Sequence, residues 1–237
     1  MDFLHVRLQA PAGSLPALAD FYAERLGLEL LERTDELVAV AVGQTRLEFE
    51  PRDAQPFYHF ALLAPGNRFG ELRDWADERT ALLPDADSGE VVFDFSNWGA
   101  KACYFHDPAG NIVEVIAHDA VPGSSARGAF AADELLGLSE LGLVGDTAAM
   151  AGLLRRELGL ELWDGTVEGE GLLAFVGEPA RTLILCPVGR PWLPTRRPAE
   201  PHPVEVVLSG LPRGEVLTED SLYRIRRAIS TADSRTR

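Results

Sequence analysis

The pentapeptide LGLEL occurs twice, and each time it closes a helical pattern: LADFYAERLGLEL at 18–30 and MAGLLRRELGLEL at 150–162. A segment that repeats with its surroundings constrains a fold more than any local propensity, because one supersecondary unit must serve more than once. The surroundings do repeat. An alternating, strand-like run precedes each copy, FLHVRLQAP in the first and GLSELGLVG in the other. Two more such runs come after each, ELVAVAV with TRLEFEP and GLLAFVG with TLILCP. One unit therefore reads strand, helix, strand, strand, strand, over about 50 residues.

Further units keep the same order. FYHFALLAP alternates like a strand. NRFGELRDWADERTALL is helical in pattern, with Asn67 as N-cap and Pro84 as its stop. VVFDF, AKACYFH and NIVEVIAHD then supply three strands, the last two joined by the turn DPAG. A fourth unit opens at HPVEVVLSG (202–210) and predicts a helix over TEDSLYRIRRAI with Thr218 as N-cap. The chain then ends, so the last three strands of that unit are expected to be missing. The proline-rich stretch before it, PVGRPWLPTRRPAEPHP, reads as a loop.

The expected fold is α+β: tandem βαβββ modules forming curved, cup-shaped mixed sheets with helices on the outside, three modules full and the fourth truncated. The Gly/Ser/Ala-rich stretch VPGSSARGAFAA is the best boundary. It divides the chain into a domain at 1–120 (modules 1–54 and 55–120), a linker at 121–131, and a second domain at 132–237 (module 132–190 and partial module 200–237). The truncated unit leaves a sheet edge that a homodimer would cover.

Side chains alternate along a strand, so each strand can be split into two faces. In the first strand Leu4, Val6 and Leu8 form an apolar face, while His5, Arg7 and Gln9 share the other with Phe3. In TRLEFEP the polar face carries Arg46, Glu48 and Glu50. His59 shares a face with Phe57, Ala61 and Leu63; Glu114 shares one with Ile112, Ile116 and His118. A glutamate inside NIVEVIA needs a metal, a cation or solvent, because an unpartnered buried carboxylate is costly. Two imidazoles and one carboxylate, each on its own strand, are the minimum set for a mononuclear metal site with open positions.

Acidic residues outnumber basic ones 37 to 22, giving a net charge of -15. That argues against nucleic-acid and anionic-membrane partners, which need a basic surface. Cys103 and Cys186 are too few for a disulfide framework and lack metal-binding spacing, so both read as buried free thiols. No leader and no apolar run of membrane-spanning length is visible, which predicts a cytoplasmic protein.

Strand–helix–three-strand units in pairs, with histidine on first strands and glutamate on a last strand after DPxGN, resemble the vicinal oxygen chelate superfamily. That group includes glyoxalase I, fosfomycin-resistance thiol transferases, bleomycin-resistance proteins, methylmalonyl-CoA epimerase and extradiol dioxygenases. The resemblance covers residues 1–118 well and 131–187 in pattern only. DPAGNIVEV after KACYFH is its specific part. The resemblance implies that two units form a cup around one divalent metal, with His5, His59 and Glu114 as ligands. It aligns Glu48 with a further ligand of glyoxalase-like members. It also makes Tyr104 a catalytic tyrosine that contacts the metal-bound ligand. The third unit departs from the pattern with Glu140 where the first has His5, and the fourth with Val204 where the second has His59. On that reading the second half is a degenerate copy with a structural role.

The function so implied is a metal-dependent enzyme with Fe2+, Zn2+, Mn2+ or Ni2+, binding a small substrate through adjacent oxygens. A ligating Glu48 points to a glyoxalase-like isomerase or lyase, and a three-residue Fe2+ site assisted by Tyr104 to an extradiol dioxygenase. The alternative is a metal-free, small-molecule-sequestering protein of the bleomycin-resistance type, in which His5, His59 and Glu114 do not converge. A thiol transferase is a third option with no visible thiol-cofactor signature.

Overall fold

Each unit lays its first strand beside its last, in parallel, and extends its remaining strands outward in antiparallel order. The outer edge of the first strand is left without a partner, and an open edge is satisfied by a second open edge. The computed structural model describes residues 1–169, 171–212 and 214–228. Unit one comprises β1 (Asp2–Pro11), α1 (Leu15–Ala19, continued by a wider π-helical turn at Asp20–Arg25), β2 (Glu29–Arg33), β3 (Val38–Val42) and β4 (Thr45–Arg52). Unit two has β5 (His59–Ala64), α2 (Phe69–Arg79), β6 (Phe93–Phe95), β7 (Ala100–His106) and β8 (Ile112–His118). Unit three has β9 (Gly137–Val144), α3 (Thr147–Leu158), β10 (Leu162–Gly165), β11 (Ala174–Glu178) and β12 (Arg181–Cys186). The fourth has β13 (Val204–Ser209), β14 (Glu215–Leu217) and β15 (Tyr223–Arg227).

The α+β architecture of repeated modules in curled mixed sheets is as the sequence predicts. The pairing of the modules is not. First strands pair antiparallel as β1 with β13 and β5 with β9. Unit one therefore shares a seven-stranded sheet with unit four, and unit two an eight-stranded sheet with unit three. The division of the chain at 121–131 is corrected accordingly: that segment joins two halves of one sheet. Alternation fixes which face of a strand is apolar, but either pairing satisfies the same edges.

The fourth unit is also corrected. Tyr223 and Ile225 are buried while Arg224 between them is exposed, which is strand alternation, and β15 pairs with β13. Thr218 sits in a turn, its hydroxyl accepting from the Tyr223 N–H at 3.1 Å. Two strands come after β13, so a short β14 rather than a bare first strand ends that sheet. The remainder of the fourth unit, 229–237, lies outside the described residues. In unit two, Asn67 does not cap α2. Its side chain instead holds the 121–131 segment, exchanging hydrogen bonds with the backbone of Ser124 at 2.8 and 3.0 Å.

One core fills the space between the sheets and their helices. It takes Val6, Leu8, Leu47 and Phe49 from one sheet and Phe60, Leu62, Val113 and Val115 from the other. A bulge between Phe3 and His5 turns Phe3 into this core and off the His5 face. Buried hydroxyls stitch the sheets together. Tyr58 donates to Pro203 O at 2.8 Å and accepts from Gln9 N–H, and Thr45 donates to Phe3 O and accepts from Leu138 N–H. The opposite face of the eight-stranded sheet carries a second apolar cluster, including Tyr104, Ile116, Ile184 and Trp192. No described helix is long and apolar enough to cross a membrane.

Candidate metal centre

The DPAGN turn positions the strand that comes after it. Asp107 Oδ1 accepts from the N–H groups of Ala109 and Asn111, and Oδ2 from the Asn111 amide and the Tyr22 hydroxyl at 2.8 Å each. Asn111 Oδ1 in turn accepts from Tyr58 N–H at 2.8 Å, which sets β8 beside β5. In that register Ala61 of β5 lies between two glutamates, Glu114 of β8 on one side and Glu140 of β9 on the other. His59 is two residues earlier on the same face.

His59, Glu114 and Glu140 bring one donor atom each within 4.8 Å of one another. All three are buried, with 5, 2 and 4% exposure. His59 Nδ1 lies 3.1 Å from Ile112 O, and since a carbonyl only accepts, Nδ1 carries the proton. The lone pair of Nε2 is left facing Glu114 Oε2 at 3.5 Å. Burial lowers the His59 pKa to about 4, so the imidazole is neutral. Burial raises Glu140 to about 7, and burial together with the charge of Glu140 holds Glu114 well above its ordinary value. Tyr104 faces Glu114 in the β7–β8 register. Burial and the two carboxylates keep the Tyr104 proton on.

One imidazole and two carboxylates, all buried, with no side-chain cation paired to the carboxylates among the described residues, form a donor set that suits a divalent ion. Such an ion would supply positive charge beside two buried glutamates. His59, Glu114 and Glu140 are the residues that would hold it.

The equivalent row in the other sheet is Glu48, Arg7 and Glu205. Arginine stands there where the metal-type row has alanine. Arg7 Nε and Arg46 Nε bond the two oxygens of Glu48 at 2.8 and 2.6 Å, and His5 Nε2 lies 2.7 Å from it. Burial pushes the Glu48 pKa up, but these three partners outweigh it and bring it down to about 2. The structure thus brings His59, Glu114 and Tyr104 together but places His5 and Glu48 on the other sheet, paired with each other. Of the expected set, His5 does not reach His59 and Glu114; the third carboxyl or imidazole donor beside those two is that of Glu140, the residue at the His5-equivalent position of unit three. Its signal is present in the sequence: a lone carboxylate in the apolar strand GLSELGLVG. Of the remaining histidines, His106 bonds the turn through Asn111 O at 3.0 Å and His202 packs on Phe57 and Tyr58. His118 is buried farther along the Glu114 face.

The walls above the floor are aromatic. Trp192 lies 4.9 Å from His59 ring to ring, and Tyr104 lies 6.1 Å from it. Trp98 packs edge-on to Phe175 at 4.7 Å, and its indole N–H donates to Asp164, tying unit two to unit three at the rim. Trp192 belongs to the proline-rich connector 187–203, whose composition marks it only as a loop. The connector folds on itself through Trp192 N–H to Arg197 O (2.9 Å) and Ala199 N–H to Arg190 O (2.8 Å). Arg196 then grips both oxygens of Asp87 at 2.7 Å. The space enclosed is about 480 Å³, counted to its open mouth.

The architecture is similar to that of solved structures. The “putative dioxygenase” of Bacillus subtilis superposes over 88% of this chain and 70% of its own, with a TM-score of 0.58 at 17% identity. Glyoxalase I from Zea mays superposes over 87% of this chain and 74% of its own, with a TM-score of 0.51 at 15% identity. A bleomycin resistance determinant encoded on transposon Tn5 covers 48% of this chain and 96% of its own, with a TM-score of 0.36 at 18% identity. The chain has the fold that these solved structures share. No family model matches the sequence. No curated protein matches it either.

Proposed function

We propose that the chain is a metal-dependent enzyme of the vicinal oxygen chelate type, acting on a small molecule that presents two adjacent oxygens. The observation that carries this reading is the convergence of His59, Glu114 and Glu140, all buried, with no paired cation among the described residues. Fe2+, Zn2+, Mn2+ and Ni2+ all suit a nitrogen and two carboxylate donors. When bound, such an ion supplies Lewis acidity and open coordination positions.

The chain's own residues do the rest. The Tyr104 hydroxyl, kept protonated, donates a hydrogen bond at the floor. Trp192 and Trp98 exclude water, which strengthens every polar contact inside. Glu48 is committed to Arg7 and Arg46 on the other sheet, and the second carboxylate of the site is Glu140, so the donor set serves either chemistry, dioxygenase-like or isomerase-like.

Elemental analysis of untagged protein tests this, after anaerobic reconstitution with each of the four ions. About one ion per chain in the wild type is expected, and loss of it in Glu140→Gln. A wild type that takes up none of the four overturns the proposal, leaving the metal-free sequestering protein as the reading.

A further inference from the structure

Among the described residues, the cup has one cation in its lining. Arg190, on the connector, is part-exposed where His59, Glu114 and Glu140 of the same lining are buried, which puts it toward the mouth. Its Nε donates to Gly171 O at 2.8 Å and its Nη1 to Pro191 O at 3.0 Å. A guanidinium has five N–H donors, so at least two remain for a ligand. The neighbouring connector arginines are occupied otherwise: Arg196 pairs with Asp87, and Arg197 stacks 3.4 Å over Phe57 and bonds Gly110 O. Arg190 has no carboxylate partner among the described residues. The backbone bonds hold its charge at the cup's mouth without neutralising it.

Between floor and mouth the surface is almost wholly apolar, and much of it is ring faces: Trp98, Tyr104, Phe175 and Trp192. Such walls favour a flat, apolar body, and a fixed planar guanidinium favours a carboxylate or similar oxyanion. A divalent ion with two glutamates is close to neutral in sum, so the floor itself would not repel an anion.

We propose that the cup selects a flat, largely apolar molecule bearing an acidic group at the end away from its chelating oxygens, with Arg190 as the residue that selects that group. This rests on the metal-enzyme reading for the chelating end only. The contribution of Arg190 is to specificity, through charge-assisted hydrogen bonds made at the mouth.

Three probes sharing one ring test it: 3,4-dihydroxybenzoate, its amide, and 3,4-dihydroxybenzylamine. Dissociation constants are read from quenching of tryptophan emission and from calorimetry on the reconstituted full chain, with metal content measured on the same samples. The benzoate should bind about tenfold or more tightly than the amide, and the benzylamine most weakly. In Arg190→Met the benzoate advantage should vanish while the amide constant stays within about twofold. Arg190→Lys should restore part of the advantage. Equal binding of benzoate and amide by the wild type overturns the proposal. So does Arg190→Met if it weakens all three probes alike, since Arg190 would then only pin the Gly171 loop. Because the readout is a ratio between ligands with the same ring, it separates the two claims. A metal-free protein that keeps the ratio sinks the metal reading alone, and a metal-loaded one with a ratio of one sinks the Arg190 proposal alone.

Discussion

The imidazole of His59 and the carboxylate of Glu114 meet across neighbouring parallel strands, Nε2 to Oε2 at 3.5 Å, with the imidazole proton committed to Ile112 O on the far side of the ring. That leaves the Nε2 lone pair and a carboxylate oxygen facing one point. His59→Ala and Glu140→Gln should each lower bound metal by about tenfold or more at limiting metal concentration, as loss of one of three ligands would. His5→Ala should leave it unchanged, since His5 is on the other sheet with Glu48. Metal-to-protein ratios by mass spectrometry after dialysis check all three; loss of metal in His5→Ala would sink the assignment.

Asp107, itself buried, satisfies four donors at once. Asp107→Ala should cost about 2–4 kcal/mol of unfolding free energy, because buried donors are left without acceptors. Urea melts measure this. Metal affinity should fall as well, since the turn sets the place of Glu114.

Gly142 lies under Trp192. A Cβ there would stand 2.9 Å from the Trp192 ring and 3.2 Å from His59 O. Gly142→Ala should push the indole out of the cup and destabilise the fold by about 1–3 kcal/mol, as overpacking does. Acrylamide quenching of tryptophan emission should rise; an unchanged quenching constant would show that Trp192 does not cover the floor.

Glu48 is the anion of a buried charge cluster, and its folded-state pKa is depressed to about 2 from 4.5. A depressed carboxylate stabilises the fold fully above its unfolded value and loses that contribution as pH falls through the folded one. Stability should therefore decline between about pH 4.5 and 2, and Glu48→Gln should flatten that part of the profile. At neutral pH the substitution should cost about 1–2 kcal/mol, less than a fully buried pair, because Arg7 and Arg46 are 35 and 36% exposed and can rehydrate. Thermal melts across the range provide the readout.

Much of the local structure is legible in the sequence because it is written in short-range pattern. The repeat around LGLEL defines the unit, alternation puts His59 and Glu114 on one kind of face, and DPAGN marks the turn before Glu114. Pattern misleads where a distant partner decides. TEDSLYRIRRAI satisfies a helical pattern and a strand pattern alike, and pairing of Tyr223–Arg227 with β13 settles it. Trp192 sits among prolines with no periodicity to announce that it is buried.

From the sequence alone follow the βαβββ unit, its use three times in full and once in part, and the presence of inward-facing histidines and glutamates. Which units share a sheet was decided by the tertiary structure. Each unit offers the same open edge on its first strand, and hydrogen-bond satisfaction does not distinguish one antiparallel partner from another. Joining β5 to β9 placed Glu140 beside Ala61 and made a three-donor floor. Joining β1 to β13 placed Glu205 beside Arg7, whose fixed positive charge fills the corresponding space.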